Sequence, residues 1–276
     1  MNDSSKPAVL SSPASTDAVL YSLSEGLATL TLNRPDKLNS LNAAMHTRLR
    51  ELLGDISSNP DVRAVLLTAG GRGFCAGQDL EERKRAPGEP PPDLGRTIEQ
   101  NWNPLARALR YLRVPIVCAV NGVAAGAGIN IALACDIVIA ARSASFVFSF
   151  SRIGLLPDAG GTYYLPRLVG SARAMGMALL GERLSAAQAA SWGLIWECVA
   201  DEDLAARARD LACSLADGPT LGLGAIRQAM RASPDHSFEE QIELERRTQR
   251  QCGASADYRE GVTAFMEKRP PRFKGM

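Results

Sequence analysis

The spacing of apolar and polar positions changes along the chain and divides it into three parts. Residues 1–16 show no apolar period and are rich in serine, which predicts a disordered tail. Residues 17–200 carry short apolar runs, typical of strands in a sheet covered on both faces, separated by helical patterns. Residues 201–276 contain helical patterns alone, and we expect this region to mediate oligomerisation. The order predicts an α/β core followed by an all-helical C-terminal part.

Six apolar segments are predicted as strands: residues 18–23, 27–33, 62–69, 115–120, 136–141 and 146–150. Helices are predicted among them at residues 42–58, 98–112, 127–134 and 162–168. The first of these helices places His46 on a charged face, where we expect it to be solvated. From about residue 170 helices follow one another, at residues 172–180, 186–192, 202–215, 220–231, 238–251 and 256–267. Residues 70–77 and 81–94 are predicted as loops, because the first is rich in glycine and the second in proline.

One uncharged run is long enough to cross a bilayer. It holds 22 residues without a charge, from Val114 to Cys135. Pro115, Asn121 and several glycines interrupt it, which favours a buried strand, a tight turn and a buried helix. We therefore expect no membrane contact.

Charge and composition narrow the classes of function. The chain of 276 residues has 31 basic and 30 acidic residues, a net charge of +1 that argues against a nucleic-acid partner. It has only two histidines, and its six cysteines are at least 15 residues apart, so we expect neither a metal site nor a redox pair. The start of the chain lacks an apolar signal segment, and we expect a cytoplasmic protein.

Two glycine-rich turns follow predicted strands, at Gly73–Asp79 (GFCAGQD) and Asn121–Gly128 (NGVAAGAG). Ligands bind beyond the carboxyl ends of parallel strands, and glycine permits close backbone approach. Two converging amides would form an oxyanion hole for an enolate or a tetrahedral oxygen. The alternative for each loop is a tight turn beneath a buried helix.

A third segment, Gly154–Thr162 (GLLPDAGGT), places Asp158 in an apolar loop just before a predicted helix. Its carboxylate could cap that helix. Alternatively, loss of solvent around it would suit a general acid or base.

Together these segments resemble the crotonase superfamily, the enoyl-CoA hydratase/isomerase family. The resemblance rests on Arg72–Leu80 (RGFCAGQDL), Asn121–Ala140 (NGVAAGAGINIALACDIVIA) and Gly154–Gly170 (GLLPDAGGTYYLPRLVG), and it extends from about Leu20 to Lys274. It implies crotonase-like repeated ββα units with a C-terminal helical part. It also implies an acyl-CoA thioester as substrate, a stabilised thioester enolate, and assembly as a homotrimer or homohexamer.

The resemblance also implies the site residues. The backbone amides of Gln78 and Ala127 would form the oxyanion hole. The residues in segments that hold coenzyme A or the acyl group would be Arg34, Lys37, Leu38, Ala76, Gly77, Asp79, Asn130 and Phe150. Arg34 and Lys37 could meet phosphate, although solvated charges are the alternative.

Two positions depart from the hydratases of the family, which place two glutamates across the bound double bond. Asn130 and Phe150 stand there instead, and neither transfers a proton at neutral pH. A single carboxylate suffices for isomerisation, because it can remove a proton and return it elsewhere. We therefore predict Asp158 as the catalytic residue.

Within the family, the segments are most similar to an isomerase branch of phenylacetate degradation. This similarity implies conversion of 1,2-epoxyphenylacetyl-CoA to oxepin-CoA, a shift of a 3,4 double bond to 2,3 in an enoyl-CoA, or both. The alternatives are an enoyl-CoA hydratase and a non-catalytic, RNA-binding member of the fold. No cofactor is implied, since coenzyme A is part of the substrate.

Overall fold

Ten strands form two sheets in residues 17–276, the part of the chain that the computed structural model describes; the tail predicted at residues 1–16 lies outside it. In chain order the strands are β1 (Val19–Ser24), β2 (Leu27–Leu32), β3 (Ala64–Ala69), β4 (Gly73–Cys75), β5 (Ile116–Val120), β6 (Val123–Ala125), β7 (Ile137–Ala141), β8 (Ser145–Val147), β9 (Arg183–Ser185) and β10 (Glu197–Val199). The larger sheet has the order β1-β2-β3-β5-β7-β10, and the smaller has β4-β6-β8-β9. Pairing is parallel except for β1 with β2 and β8 with β9.

Helices surround the sheets and form the C-terminal part. They are α1 (Ala43–Ser58), α2 (Leu94–Thr97), α3 (Asn103–Tyr111), α4 (Ala127–Leu133), α5 (Gly161–Val169), α6 (Ser171–Leu180), α7 (Ala186–Ser191), α8 (Leu204–Ala216), α9 (Thr220–Ala232), α10 (Phe238–Gly253) and α11 (Ala256–Glu267). Asn42 caps α1 as expected, with its Oδ1 accepting a hydrogen bond from the Met45 amide. A π-helical turn, Ile98–Trp102, joins α2 to α3, so the helix predicted at residues 98–112 starts with a π-helical turn and continues from α2.

Consecutive strands alternate between the two sheets. Strands β3, β5 and β7 belong to the larger sheet, and β4, β6 and β8, which follow them, belong to the smaller. Helix α4 follows β6, and helix α5 follows β8 after a 3₁₀ helix. This repetition of two strands and a helix, completed by the C-terminal helices, confirms the predicted fold class.

The sequence pattern misses four of the five strands that have only three residues. Each of β4, β6, β9 and β10 has three residues, too few to show an alternation of apolar and polar positions. The expectation of helices alone after residue 170 is therefore wrong, since β9 pairs with β8 and β10 with β7. The strand predicted at residues 146–150 is also too long, because Phe150 lies in a 3₁₀ helix, Ser149–Ile153.

The uncharged run from Val114 to Cys135 folds into β5, β6 and α4. Its apolar side chains belong to the core around the two sheets. Across residues 17–276, no helix combines the length and the apolar character needed to cross a membrane.

Candidate active site

The two glycine-rich turns come together where strands β4 and β6 end. Gly77 has φ of +87°, and a Cβ atom placed on it would lie 3.0 Å from the Ala125 carbonyl oxygen and 3.2 Å from the Ala127 nitrogen. A Cβ atom on Gly128 would come within 2.3 Å of the Cys75 carbonyl oxygen. Glycine is therefore required at both positions, and its absence of a side chain brings the backbone of Gln78 close to that of Ala127.

Both predicted oxyanion-hole amides are free to bind a ligand. The residues around Gln78 are fixed by a bridge to Leu41, which donates to the Gly77 carbonyl and accepts from the Asp79 amide. Within residues 17–276, the Gln78 and Ala127 amides donate no hydrogen bond themselves. Ala127 is also the first residue of α4, where the unpaired N–H groups attract negative charge. The arrangement suits a developing negative charge on a thioester oxygen.

The side chain of Gln78 is anchored by Trp102. The indole Nε1 donates to Gln78 Oε1 at 2.9 Å, and Gln78 Nε2 donates to Glu82 at 3.2 Å. Trp102 is fully buried and meets the His46 ring edge-on at 4.5 Å between centroids. His46 is therefore not solvated as predicted: it is fully buried, and burial lowers its pKa to about 4. The apolar face of α1 extends one residue further than the sequence pattern indicates.

Asp158 does not cap helix α5. The N-cap is Gly160, which has no side chain to accept a hydrogen bond, and only the main-chain carbonyl of Asp158 bonds to the Gly161 amide. Its Oδ1 atom is buried without a hydrogen-bond partner among residues 17–276. Burial raises the pKa of Asp158 to about 6, and the positive charge of Arg83 opposes that rise. A carboxyl group with this pKa can both take up and release a proton near neutrality.

The other carboxylates close to the Gln78 loop have partners. Asp79 forms an ion pair with Arg34 at 2.9 Å, and Glu81 forms one with Lys37 at 2.9 Å. Glu82 accepts hydrogen bonds from the Ala43 amide and from Gln78. Asp158 therefore differs from these three in having an unpaired, buried oxygen.

Asn130 and Phe150 lie beside the groups described above: Asn130 contacts the Asp158 loop, and Phe150 lies near the Ala127 amide. Asn130 is fully buried in α4, one turn after Ala127, and its Nδ2 donates to the Asp158 carbonyl oxygen at 2.8 Å. Its Oδ1 has no partner in the described chain. The Phe150 ring tip lies 3.9 Å from the Cβ position of Gly126, beside the Ala127 amide. The structure thus brings together Gln78, Ala127, Asn130, Phe150 and Asp158.

The residues predicted to contact coenzyme A lie mainly in two segments. One is the loop before α1, and the other is the segment that follows β4 and pairs with this loop. Ala76 donates its amide to the Leu38 carbonyl, and the Leu38 side chain packs against Gly73. Arg34 donates to the Ser40 carbonyl as well as to Asp79, so its guanidinium serves the loop itself. The Lys37–Glu81 pair is exposed and contributes little, which leaves the Lys37 ammonium available to a ligand.

Arg83 is a residue that the sequence reasoning missed. It lies in a 3₁₀ helix, Leu80–Arg83, directly after the Gln78 loop, and its Nε is buried without a partner in residues 17–276. The sequence offered a weak signal, because Arg83 belongs to a charged segment with exposed Lys84 and Arg85. Only the fold shows that the first of these three cations is partly buried and that its charge acts on Asp158.

The chain belongs to the enoyl-CoA hydratase/isomerase family, whose sequence profile matches residues 22–276. It is an enzyme of this family, and the family's substrates are acyl-CoA thioesters. A solved enoyl-CoA hydratase/isomerase from Mycobacterium abscessus has a TM-score of 0.90 and 38% identity, covering 94% of this chain and all of that one.

Two curated relatives match the chain over nearly their full length. The 1,2-epoxyphenylacetyl-CoA isomerase of Escherichia coli is 55% identical over 257 residues, 93% of this chain and 98% of the relative. A protein of Rhodobacter capsulatus named as a probable enoyl-CoA hydratase is 49% identical over 257 residues, with the same coverage. The names of these two relatives differ in the reaction, so the choice between isomerase and hydratase depends on the site.

Proposed function

We propose that this enzyme isomerises acyl-CoA thioesters. The reactions are conversion of 1,2-epoxyphenylacetyl-CoA to oxepin-CoA and a shift of a 3,4 double bond to 2,3. The observation that carries the proposal is Asp158, the one carboxylate among residues 17–276 with a buried oxygen that has no hydrogen-bond partner, in a site that also holds two backbone amides that donate no hydrogen bond. Similarity to the Escherichia coli isomerase supports the epoxide as substrate.

The double-bond shift needs one group that carries a proton between two carbons. The Asp158 carboxylate takes a proton from C2, and the electrons of that C–H bond form an enolate whose oxygen binds the Gln78 and Ala127 amides. The protonated Asp158 then returns the proton to C4, and the double bond forms between C2 and C3. Asp158 ends in its original state, so no further acid, base or cofactor is required.

Ring expansion of the epoxide uses the same polarised thioester. Hydrogen bonds from Gln78 and Ala127 draw electrons toward the carbonyl oxygen, which acidifies the C2 protons beside the ring. The carbon–carbon bond shared by the epoxide and the six-membered ring breaks, its electrons form the new double bonds of the ring, and the oxygen keeps both of its C–O bonds, so no atom is gained or lost. Coenzyme A enters as part of the substrate, and we propose that the chain's own residues perform the reaction.

Hydration is disfavoured by the side chains at the two positions where, by the resemblance, hydratases of the family carry glutamates. Asn130 uses its amide N–H to hold the Asp158 loop, and Phe150 presents a ring. Neither group can remove a proton from water at neutral pH. A hydratase would need, besides Asp158, a second group that can remove a proton from water.

We also propose a homotrimer or homohexamer that works in the cytoplasm. Large apolar side chains are exposed on the C-terminal helices, among them Ile226, Met230, Phe265 and Met266, which supports assembly through residues 201–276. All six cysteines are free, which supports a reducing compartment. A mass near 30 kDa in light scattering at micromolar concentration would contradict the assembly.

The isomerase proposal is tested by giving the purified enzyme three thioesters: crotonyl-CoA, a linear 3-enoyl-CoA and 1,2-epoxyphenylacetyl-CoA. Mass spectrometry separates hydration, which adds water, from isomerisation, which does not, and ultraviolet absorbance follows conjugation. We expect turnover of the last two and slow hydration of the first. Hydration of crotonyl-CoA at a rate comparable to either isomerisation would overturn the proposal.

A further inference from the structure

Asn39 is a fully buried polar side chain that binds the backbone of two neighbouring segments. Its Oδ1 accepts a hydrogen bond from the Arg34 amide at 2.7 Å. Its Nδ2 donates to the carbonyl oxygens of Gly70 at 2.9 Å and Gly73 at 2.8 Å. All three partners are main-chain groups, so this one side chain joins the loop before α1 (residues 34–41) to the turn that leads from β3 into β4.

The loop before α1 has an unfavourable backbone conformation at this point. Leu38 and Asn39 both have positive φ, +47° and +54°, a region that few residues other than glycine adopt. Such a conformation persists only where surrounding contacts impose it. The three hydrogen bonds of Asn39 are contacts of that kind. Close packing adds another, since a Cβ atom on Gly71 would lie 2.6 Å from the Pro35 Cβ atom.

The same loop decides which way the Gln78 amide points. Leu41, two residues after Asn39, donates to the Gly77 carbonyl oxygen at 2.7 Å and accepts from the Asp79 amide at 2.9 Å. Successive amides of an extended chain point to opposite sides. Because the Asp79 amide is bonded to the loop, the Gln78 amide is turned away from the loop and stays unpaired in the described chain. A shift of Leu41 would therefore change the direction of the Gln78 amide.

We propose that Asn39 is a positioning residue of the oxyanion hole, because it fixes the loop whose pairing sets the direction of the Gln78 amide. This inference rests on one part of the proposed function, the binding of the thioester oxygen by two amides. Asn39 is buried and acts through the backbone. The Ala127 amide belongs to the first turn of α4 and does not depend on this loop. Loss of the Asn39 side chain should thus weaken one of the two donors.

A purely structural role of Asn39 would lower stability without changing the thioester oxygen's environment. Asn42 has such a role, since its Oδ1 accepts from the Met45 amide and caps α1. Asn42→Ala is therefore the matched control, because loss of the cap lowers stability and leaves the three Asn39 bonds in place. Asn39→Gly is the test variant, because glycine adopts the positive φ at position 39 without strain and only the hydrogen bonds are lost.

The test measures how strongly the site polarises the thioester carbonyl. Infrared difference spectra are recorded for phenylacetyl-CoA, isotopically labelled at that carbonyl, bound to the wild type and to both variants. Hydrogen bonds from the oxyanion hole weaken the C=O bond, so the wild type and Asn42→Ala should lower its stretching frequency relative to the free ligand. We expect Asn39→Gly to lose about half of that shift, since one of two donors is displaced. Its kcat for a linear 3-enoyl-CoA should fall by about 10²-fold, with KM little changed.

An Asn39→Gly enzyme that keeps the whole shift would overturn the inference. A wild-type enzyme without a shift, or an Asn42→Ala enzyme that loses as much of it as Asn39→Gly, would overturn it as well. If Asn39→Gly does not fold by circular dichroism, Asn39→Asp gives the comparison, because aspartate keeps the acceptor for the Arg34 amide but has at most one donor for two carbonyls. The spectra need no turnover, so the expected shifts in an enzyme that isomerises no thioester would support the inference and reject the proposed function alone.

Discussion

The two halves of the site are built on opposite principles. The amide half, around Gln78 and Ala127, consists of backbone locked by close contacts that only glycine permits, and the groups around it are paired. The acid half, around Asp158, consists of side chains, several of whose polar atoms are buried and unpaired. The first half is complete before substrate arrives, whereas the second is completed by it.

This difference follows from what each half must do. A developing negative charge is stabilised best by donors that need not move, so rigidity serves the amide half. Proton transfer needs a group whose charged and neutral forms are close in free energy, and partial burial of Asp158 provides that. Unpaired polar groups lower stability, so the acid half gives up stability for activity.

The largest effect should come from removing the proton carrier in the acid half. Asp158→Asn keeps the size of the side chain but cannot transfer a proton, so we expect double-bond isomerisation to slow by about 10²–10⁴-fold. Stability at pH 7 should rise by about 1–2 kcal/mol, because the substitution removes a carboxylate whose ionisation the fold disfavours. Kinetics and chemical denaturation measure the two effects. Normal turnover in a folded variant would show that another residue carries the proton.

The amide half should respond to a substitution in both activity and stability. In Gly128→Ala the new methyl group would clash with the Cys75 carbonyl oxygen, so the two loops must separate. We expect kcat to fall by about 10²–10³-fold, as for loss of one oxyanion donor, with a lower Tm. Gly54→Ala is the matched control, because nothing lies within 4 Å of its Cβ position. If Gly128→Ala and Gly54→Ala had the same kcat and Tm, the amide half would not be locked by these contacts.

The pH dependence should separate the halves without a mutation. Backbone amides do not titrate near neutrality, whereas the pKa of Asp158 is about 6. If Asp158 acts first as a base, kcat/KM for a 3-enoyl-CoA rises with pH through about 6 and falls roughly tenfold below its plateau at pH 5. The profile of Asp158→Asn should lack this step. A profile that falls through pH 6 would assign the first step to the protonated form.

The smallest effect should come from the side-chain support of the amide half. Trp102→Phe keeps most of the packing against His46 but removes the hydrogen bond to Gln78. We expect kcat to fall by about threefold to tenfold, the worth of one ordinary hydrogen bond, with KM little changed. Steady-state kinetics would show this split. A relative rise in KM that exceeds the relative fall in kcat would mean that Trp102 acts on substrate binding instead.

Long apolar patterns made the frame of this fold predictable. β5 is a fully apolar run, β3 is apolar except for Thr68, and α1 carries its cap in the sequence. Strands of three residues such as β6 have no such period, and their place depends on pairing with β4 and β8. The positions of these short strands therefore depend on tertiary contacts between segments that are distant in the sequence.

The site residues also fall into two groups, those that the sequence indicates and those that only the fold shows. Glycine marks the two turns in the sequence, and the resemblance to the family implies the Gln78 and Ala127 amides within them as the oxyanion hole. Asp158 could be located, but only the absence of a cap at Gly160 distinguishes a free carboxylate from a capping one. His46 and Arg83 were missed because charged neighbours in the sequence suggest solvent, while the fold turns both side chains inward.

The bond between Asn130 and the Asp158 loop has a consequence for how this enzyme could change its reaction during evolution. Asn130 occupies a position where the hydratases of the family carry a glutamate, yet here its Nδ2 supports the loop that holds the acid. A Cβ atom on Gly161 would lie 2.6 Å from that nitrogen, so the Asn130 side chain packs closely against Gly161. A carboxylate at position 130 would replace the donor by an acceptor facing the Asp158 carbonyl. Under the proposed function, a single step toward a hydratase would therefore pass through an impaired isomerase, so positions 130 and 158 depend on each other.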